Sequence, residues 1–214
     1  MDLEKTERSC YFTDMQAAAV TSKGAATRDS IIERAVQIVR KEGFEGLSIG
    51  TIAESVGMSK SGVFAHFGSR EDLQLAVLDA AAQRFTEQVF LPAIREKRGL
   101  TRLLAIGHRW MKWLRSEQGG CPMVSAAIEY DDRPGAIRDR VIFYQTKLRK
   151  ELARAIAMAV ETNELRADTE PEQLAFEIFG VELAMHHDSR LFGFDEAIVR
   201  SERALERLVG SYRV

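Results

Sequence analysis

The chain of 214 residues is 45% hydrophobic and 29% charged, a balance that excludes disordered and fibrous classes and leaves enough apolar mass for a real core. A net charge of −2 and a pI of about 6.1 exclude nucleic-acid binding through the field of the whole chain, so any such contact must come from a local patch. No apolar run reaches the roughly 18 residues of a membrane span, and Met1–Glu7 is too polar and acidic for a signal peptide. The two cysteines, Cys10 and Cys121, lie in unlike contexts and suit a reduced compartment, so a cytoplasmic protein with no membrane partner is expected. Four prolines set against abundant Ala, Leu, Arg and Glu favour helix throughout.

Residues 1–24 show no sustained period and are expected to form a mobile arm, within which Met15 offers an alternative start. With three basic and four acidic residues up to Thr27, this stretch makes a poor minor-groove arm. From Arg28 to Glu42, Ile31, Ile32, Ala35, Ile38 and Val39 recur at helical spacing, and Gly43 ends the helix. Ser48 caps a short helix to about Ser55, and Ser59 caps another to about His66. Ser69, with Asp72 three residues on as a capping-box analogue, opens a longer helix running toward Phe90 before Pro92. Further helical patterns cover 100–117, 122–130, 135–162, 171–190 and 195–212. The third carries the clearest stripe, Ile137, Val141, Tyr144, Leu148, Leu152 and Ile156. Asp131-Asp132-Arg133-Pro134-Gly135 is a turn by residue type.

The stretch Ser48–Phe67 concentrates the functional signal. Two short helices that cross steeply need a small residue where their axes approach, and Ala53 fits that place. The turn between them needs a positive φ, which Gly57 supplies. Val63, six residues later, presents an apolar side chain back to the first helix, and Ile52, Val56 and Phe67 complete a small core. The second helix opens Ser59-Lys60-Ser61-Gly62, small or cationic residues that let its N-terminus enter a major groove. There Lys60 reaches a phosphate or a guanine edge.

The same segment closely resembles the N-terminal domain of TetR-type repressors. The resemblance rests on Thr27-Arg28 before Ile31-Ile32, then Gly43-Phe44, the Ser48 cap, Ile52-Ala53, Val56-Gly57 and the Ser-rich second helix. It ends with Phe64-Ala-His66-Phe67 and Arg70-Glu71-Asp72-Leu73, and spans about 60 residues. It implies phosphate contacts from Ser48, Ser59, His66 and Arg70, groove contacts around Lys60, Ser61, Gly62 and Val63, and a further DNA-binding position at Phe64. Phe64 stands where such proteins carry Tyr, which removes a hydroxyl, and Arg70 stands where they carry Lys.

Other signals carry less. Gly46-Leu-Ser48-Ile-Gly50 fits Gly-x-Ser-x-Gly, the basis of an alternative serine hydrolase using Ser48. That pattern works on a strand-to-helix turn, and no strand is readable here. His186-His187-Asp188 suggests a metal, but adjacent helical histidines point about 100° apart, so neither a metal nor a catalytic residue is expected. A helix that docks a protein partner shows an exposed apolar stripe, which Ser59–Gly62 lacks.

The expectation is an all-α protein of about nine helices. A helix-turn-helix domain of three helices at 25–85 precedes a larger helical bundle for ligand binding and dimerisation at 86–214. By the resemblance it is a repressor, or alternatively a ligand-responsive activator, without cofactor. Its partners are double-stranded operator DNA, a second copy of itself and an apolar or amphipathic small-molecule effector. Trp110, Trp113, Tyr130, Phe143, Tyr144 and Phe179 are the candidate effector residues. Leu174, Ile178, Val181 and Met185 form one candidate dimer stripe, and Ile198, Leu205 and Leu208 form the other.

Overall fold

The computed structural model describes residues 23–116 and 120–214. Among them the chain forms nine α-helices and no strand: α1 (Lys23–Glu42), α2 (Ile49–Val56), α3 (Lys60–Phe67), α4 (Arg70–Phe85), α5 (Leu100–Ser116), α6 (Pro122–Tyr130), α7 (Ala136–Glu161), α8 (Pro171–Leu191) and α9 (Phe194–Gly210). The arm expected at 1–24 falls almost wholly outside the described residues. α1 starts at Lys23, ahead of the expected Arg28, because Ala25 and Ala26 favour helix and the Thr27 hydroxyl donates to the Lys23 carbonyl at 3.0 Å.

α4 does not stop before Pro92. It passes through a π-helical turn, Thr86–Phe90, into a last short segment, Leu91–Ala93. There the Leu91 N–H reaches back five residues to the Thr86 carbonyl. That shift of register lets the rod accept a proline, which has no N–H to offer the ordinary ladder.

The side chains pack into two apolar clusters. One joins α1 to α4 and takes Ile52, Ala53, Val63 and Phe67 from the short helices. It is closed by Ala126 of α6 and by Ile137 and Val141 of α7, so the first 85 residues do not seal it alone. The other lies among α5, α7, α8 and α9, around Ile106, Met111, Ile156, Leu174 and Ile178. α7 serves both clusters: its stripe enters the first through Ile137 and Val141 and the second through Leu148, Leu152 and Ile156.

The candidate dimer stripes need correction. Leu174, Ile178, Met185 and Leu205 are at most 1% exposed and fill the bundle's own core, while Val181, Ile198 and Leu208 are half buried. The outward row of α8 is instead Phe176, Gly180, Leu183, Ala184, His187 and Leu191. Beside it an open groove between α8 and α9 is floored by small residues, Gly180, Ala184 and Ala204, with Val181 and Leu208.

Candidate nucleic-acid interface and ligand cavity

Each short helix is fixed at both ends by its own sequence. The Ser48 hydroxyl accepts the Thr51 N–H at 3.0 Å and the Ser48 N–H donates to the Thr51 hydroxyl at 2.9 Å, a capping box in which threonine replaces the usual acid. Gly57 closes α2 at φ +67°, a left-handed conformation that glycine adopts without strain, and the Met58 N–H returns to the Ala53 carbonyl. Ser59 then caps α3 by accepting the Gly62 N–H at 3.1 Å. Ser69 caps α4 by accepting the Asp72 N–H at 2.9 Å. Burial of Ile52, Val63 and Phe67, each worth roughly 1.5–3 kcal/mol, locks α3 against its neighbours. Arg28 of α1 lies over the Phe67 ring at 5.1 Å.

With Val63 and Phe67 inward, α3 turns Ser59, Lys60, Ser61, Phe64 and Ala65 to the outside. Gly62 and His66 are half buried along the edge of that row. Two expectations change. Val63 is fully buried, so its side chain belongs to the core and cannot reach a groove. Arg70 is turned back onto the protein: its guanidinium donates to the carbonyls of Leu47 (2.7 Å), Phe44 (3.0 Å) and Glu45 (3.1 Å). A lysine in its place has no planar fork to span three carbonyls. Arg70→Lys is therefore expected to lower stability by about 1–2 kcal/mol, read as a shift of the urea midpoint followed by circular dichroism.

The turn that Arg70 grips is also held from the second domain. Glu129 of α6 accepts the N–H groups of Phe44 and Glu45, both at 3.0 Å, and Arg133 pairs with Glu45 at 2.6 Å. Gln74 of α4 donates to the Phe44 carbonyl and to the Tyr130 hydroxyl. Tyr130, a candidate effector residue, thus packs edge-on against Phe44, where the N-terminal domain meets α6.

Ser48 does not stand on the strand-to-helix turn that Gly-x-Ser-x-Gly requires: a helix and a turn precede it, and its hydroxyl accepts the Thr51 N–H as a cap. Among the described residues no cluster of three or more potential metal ligands occurs, and no helix is long and apolar enough to cross a membrane.

The second domain encloses a cavity of about 60 Å³ between α4, α5, α6, α7 and α8. Trp110, Trp113, Tyr144 and Phe179 line it, and Tyr130 and Phe143 do not. Phe143 points outward, 46% exposed, under the Lys147 ammonium at 4.3 Å. Phe85, missed in the sequence, makes edge contacts with Trp110 and Trp113 at 5.1 and 5.0 Å. Tyr144 donates its hydroxyl to Asp79 of α4 at 2.8 Å, a carboxylate also held by Arg140. Burial, followed by that carboxylate, raises the phenol's pKa.

Glu182, Gln145, His186 and Cys121 also face the cavity and were missed. Glu182 is 1% exposed, both its oxygens lack a partner, and burial raises its carboxyl pKa well above the ordinary value. His186 accepts the Cys121 N–H at 3.2 Å, and burial, with Arg190 and His187 adding to it, lowers its pKa. Cys121 packs in the second apolar cluster at the start of α6, and that burial pushes its thiol pKa up.

Comparison with known proteins agrees with this layout. Residues 31–77 match the profile of bacterial regulatory proteins of the tetR family, and residues 99–205 match the tetracyclin repressor-like C-terminal domain. The HTH-type transcriptional repressor AcnR of Corynebacterium glutamicum is 33% identical over 73 residues, which are 34% of this chain and 39% of that protein. The chain therefore aligns with about two fifths of the length of that curated relative. A TetR transcriptional regulator from Chloroflexus aurantiacus superposes with a TM-score of 0.82 at 23% identity, covering 89% of this chain and 98% of the other. AibR, crystallised with isovaleryl coenzyme A and operator DNA, superposes with a TM-score of 0.67 at 22% identity, covering 87% of this chain and 97% of its own.

Proposed function

The chain belongs to the TetR family of bacterial regulatory proteins, and from that membership we propose that it is a cytoplasmic, dimeric transcriptional repressor without enzymatic activity, released from a palindromic operator by a small effector bound in its second domain. The observation that carries this proposal is the outward row of α3. Ser59, Lys60, Ser61, Phe64 and Ala65 face solvent on a helix capped at Ser59 and pinned from behind by Val63 and Phe67. This is what a recognition helix requires: a rigid position, a small and cationic surface, and an N-terminal dipole facing phosphate. Lys60 is the groove contact, and Ser48, Ser59 and His66 are phosphate contacts, the two serine hydroxyls donating while they accept the capping N–H groups. That AcnR is described as a repressor supports the repressor reading, and that AibR was crystallised with both an acyl-CoA and operator DNA supports a protein of this fold that binds a small molecule as well as DNA. A fluorescence-anisotropy titration against the DNA flanking the gene, repeated across salt concentrations, tests it. Tight binding that weakens with salt is expected, and equal binding to random duplex counts against it.

Two copies join through the outward faces of α8 and α9, where Gly180, Ala184 and Ala204 permit close approach of backbones. A Cβ at Gly180 would meet nothing within 4 Å in the single chain, so Gly180→Arg folds normally. It is expected to give a monomer by light scattering and to lose operator binding, since one recognition helix cannot span two half-sites.

α4 and α6 both run from the cavity to the turn that carries α2. α4 lines the cavity with Ala81, Ala82 and Phe85 and grips the turn with Arg70 and Gln74. α6 lines it with Met123 and Val124 and grips the turn with Glu129. A ligand that favours a wider cavity thereby favours another placement of α3, through its differential affinity for the two states. Glu129→Ala is expected to leave effector affinity unchanged while reducing the effector's influence on operator affinity by roughly tenfold, within the usual span of such couplings. Undiminished release would remove α6 from the route.

A further inference from the structure

The cavity holds polar groups that the fold does not use. Both oxygens of Glu182, the Gln145 Oε1 and the Trp113 Nε1 are buried without partners, and all three residues line the same space. Buried polar groups are otherwise nearly always paired, and an unpartnered carboxyl among aromatic rings is the costliest to leave so. The charge pattern of the wall is one-sided. Among the described lining residues there is no lysine or arginine, and His186 is held as an acceptor by the Cys121 N–H. An anionic ligand would find no counter-ion there, whereas a cation would let Glu182, held protonated by burial, release its proton and ionise beside it. A purely apolar ligand would leave Glu182 and Gln145 as they are.

We propose that the effector is a small hydrophobic amine, its ammonium donating to the Glu182 carboxylate and the Gln145 carbonyl oxygen while its apolar part lies among Phe85, Trp110, Trp113 and Phe179. The aromatic faces add attraction for a cation that neutral ligands do not receive. This rests on the assignment of the cavity as the effector site. At about 60 Å³ the space is well below the roughly 300 Å³ of an ordinary ligand pocket, so occupation must push apart its walls, Phe85 of α4 among them.

Both tryptophans of the chain line this cavity, so intrinsic tryptophan emission reports on it alone. The full chain is titrated with 3-phenylpropylamine, 3-phenylpropanol and 3-phenylpropanoate, three probes that differ only in the polar end. The amine is expected to bind roughly tenfold more tightly than the alcohol, as a charge-assisted contact should give, with the carboxylate weakest. Glu182→Gln, nearly isosteric, is expected to bring the amine down to the alcohol. If the alcohol or carboxylate binds as well as the amine in the wild type, or if the amine preference survives in Glu182→Gln, the amine assignment falls and the cavity stands as a ligand site. If none of the three moves the emission at millimolar concentration, the amine assignment and the effector site fall together.

Discussion

Glu182→Met raises the thermal unfolding midpoint at pH 8, and its advantage over the wild type is smaller at pH 4. The carboxyl is 1% exposed with neither oxygen partnered, which costs about 1–3 kcal/mol by the usual measure for buried polar groups. Methionine has a similar reach and leaves nothing unpaired, so a gain of that size converts to roughly 2–12 °C for a chain of this length. The sign of the pH dependence follows from the raised pKa of Glu182. In the unfolded chain the carboxyl ionises near 4.5, whereas in the fold burial keeps it protonated well above that. From about pH 4.5 upward the unfolded state can therefore release a proton that the folded state keeps, and the wild type loses stability until the folded pKa is passed. His186, with its pKa lowered, and Cys121 and Tyr144, with theirs raised, are uncharged at neutral pH and supply no compensating charge. A carboxyl that costs stability without a partner is the kind of group retained for function. A methionine variant no more stable than the wild type, or a difference independent of pH, would refute the burden assigned to Glu182.

Lys60→Ala abolishes most operator affinity without touching the fold. Lys60 is the first residue of α3, exposed, and free of ion pairs among the described residues. A groove contact of this kind is worth about 1–3 kcal/mol, and a dimer on a palindrome makes it twice. The summed loss of about 2–6 kcal/mol is between roughly thirtyfold and twenty-five-thousandfold in affinity. The variant also says which contact is lost. Relaxed preference at one base position marks a base edge, and a uniform loss with a salt slope shallower by about 2 marks one phosphate per copy. The unfolding midpoint is expected to stay where it was. Unchanged affinity would remove Lys60, and with it the outward row of α3, from the interface.

Much of this was legible because the chain punctuates itself. Ser48, Gly57, Ser59 and Ser69 mark both ends of α2 and the starts of α3 and α4, and each acts within three or four residues of its position. Failures occurred where partners are distant in sequence. Arg70 turns inward because its acceptors, 23 to 26 residues upstream, are backbone carbonyls that no side-chain pattern announces. Tyr130 left the cavity for Phe44, 86 positions away, for the same reason. The stripe on α8 was misread for another cause: periodicity finds an apolar face without saying which neighbour covers it. Leu174, Ile178 and Met185 face the chain's own core, and the outward row is marked only by small residues. Glu182 was the one overlooked residue with a local signal. It occupies the stripe position between Ile178 and Met185, and an acid there, inside an apolar row, is what a cavity with a polar contact looks like in sequence.

The claim on which the rest depends is that α3 reads a two-fold-symmetric DNA sequence. It is tested most directly by selecting bound duplexes from a random pool over successive rounds with the full chain. The account predicts enrichment of one inverted repeat whose half-sites lie one helical turn, about 10 base pairs, or a multiple of it apart. Recovery of sequences no different from the starting pool would contradict it.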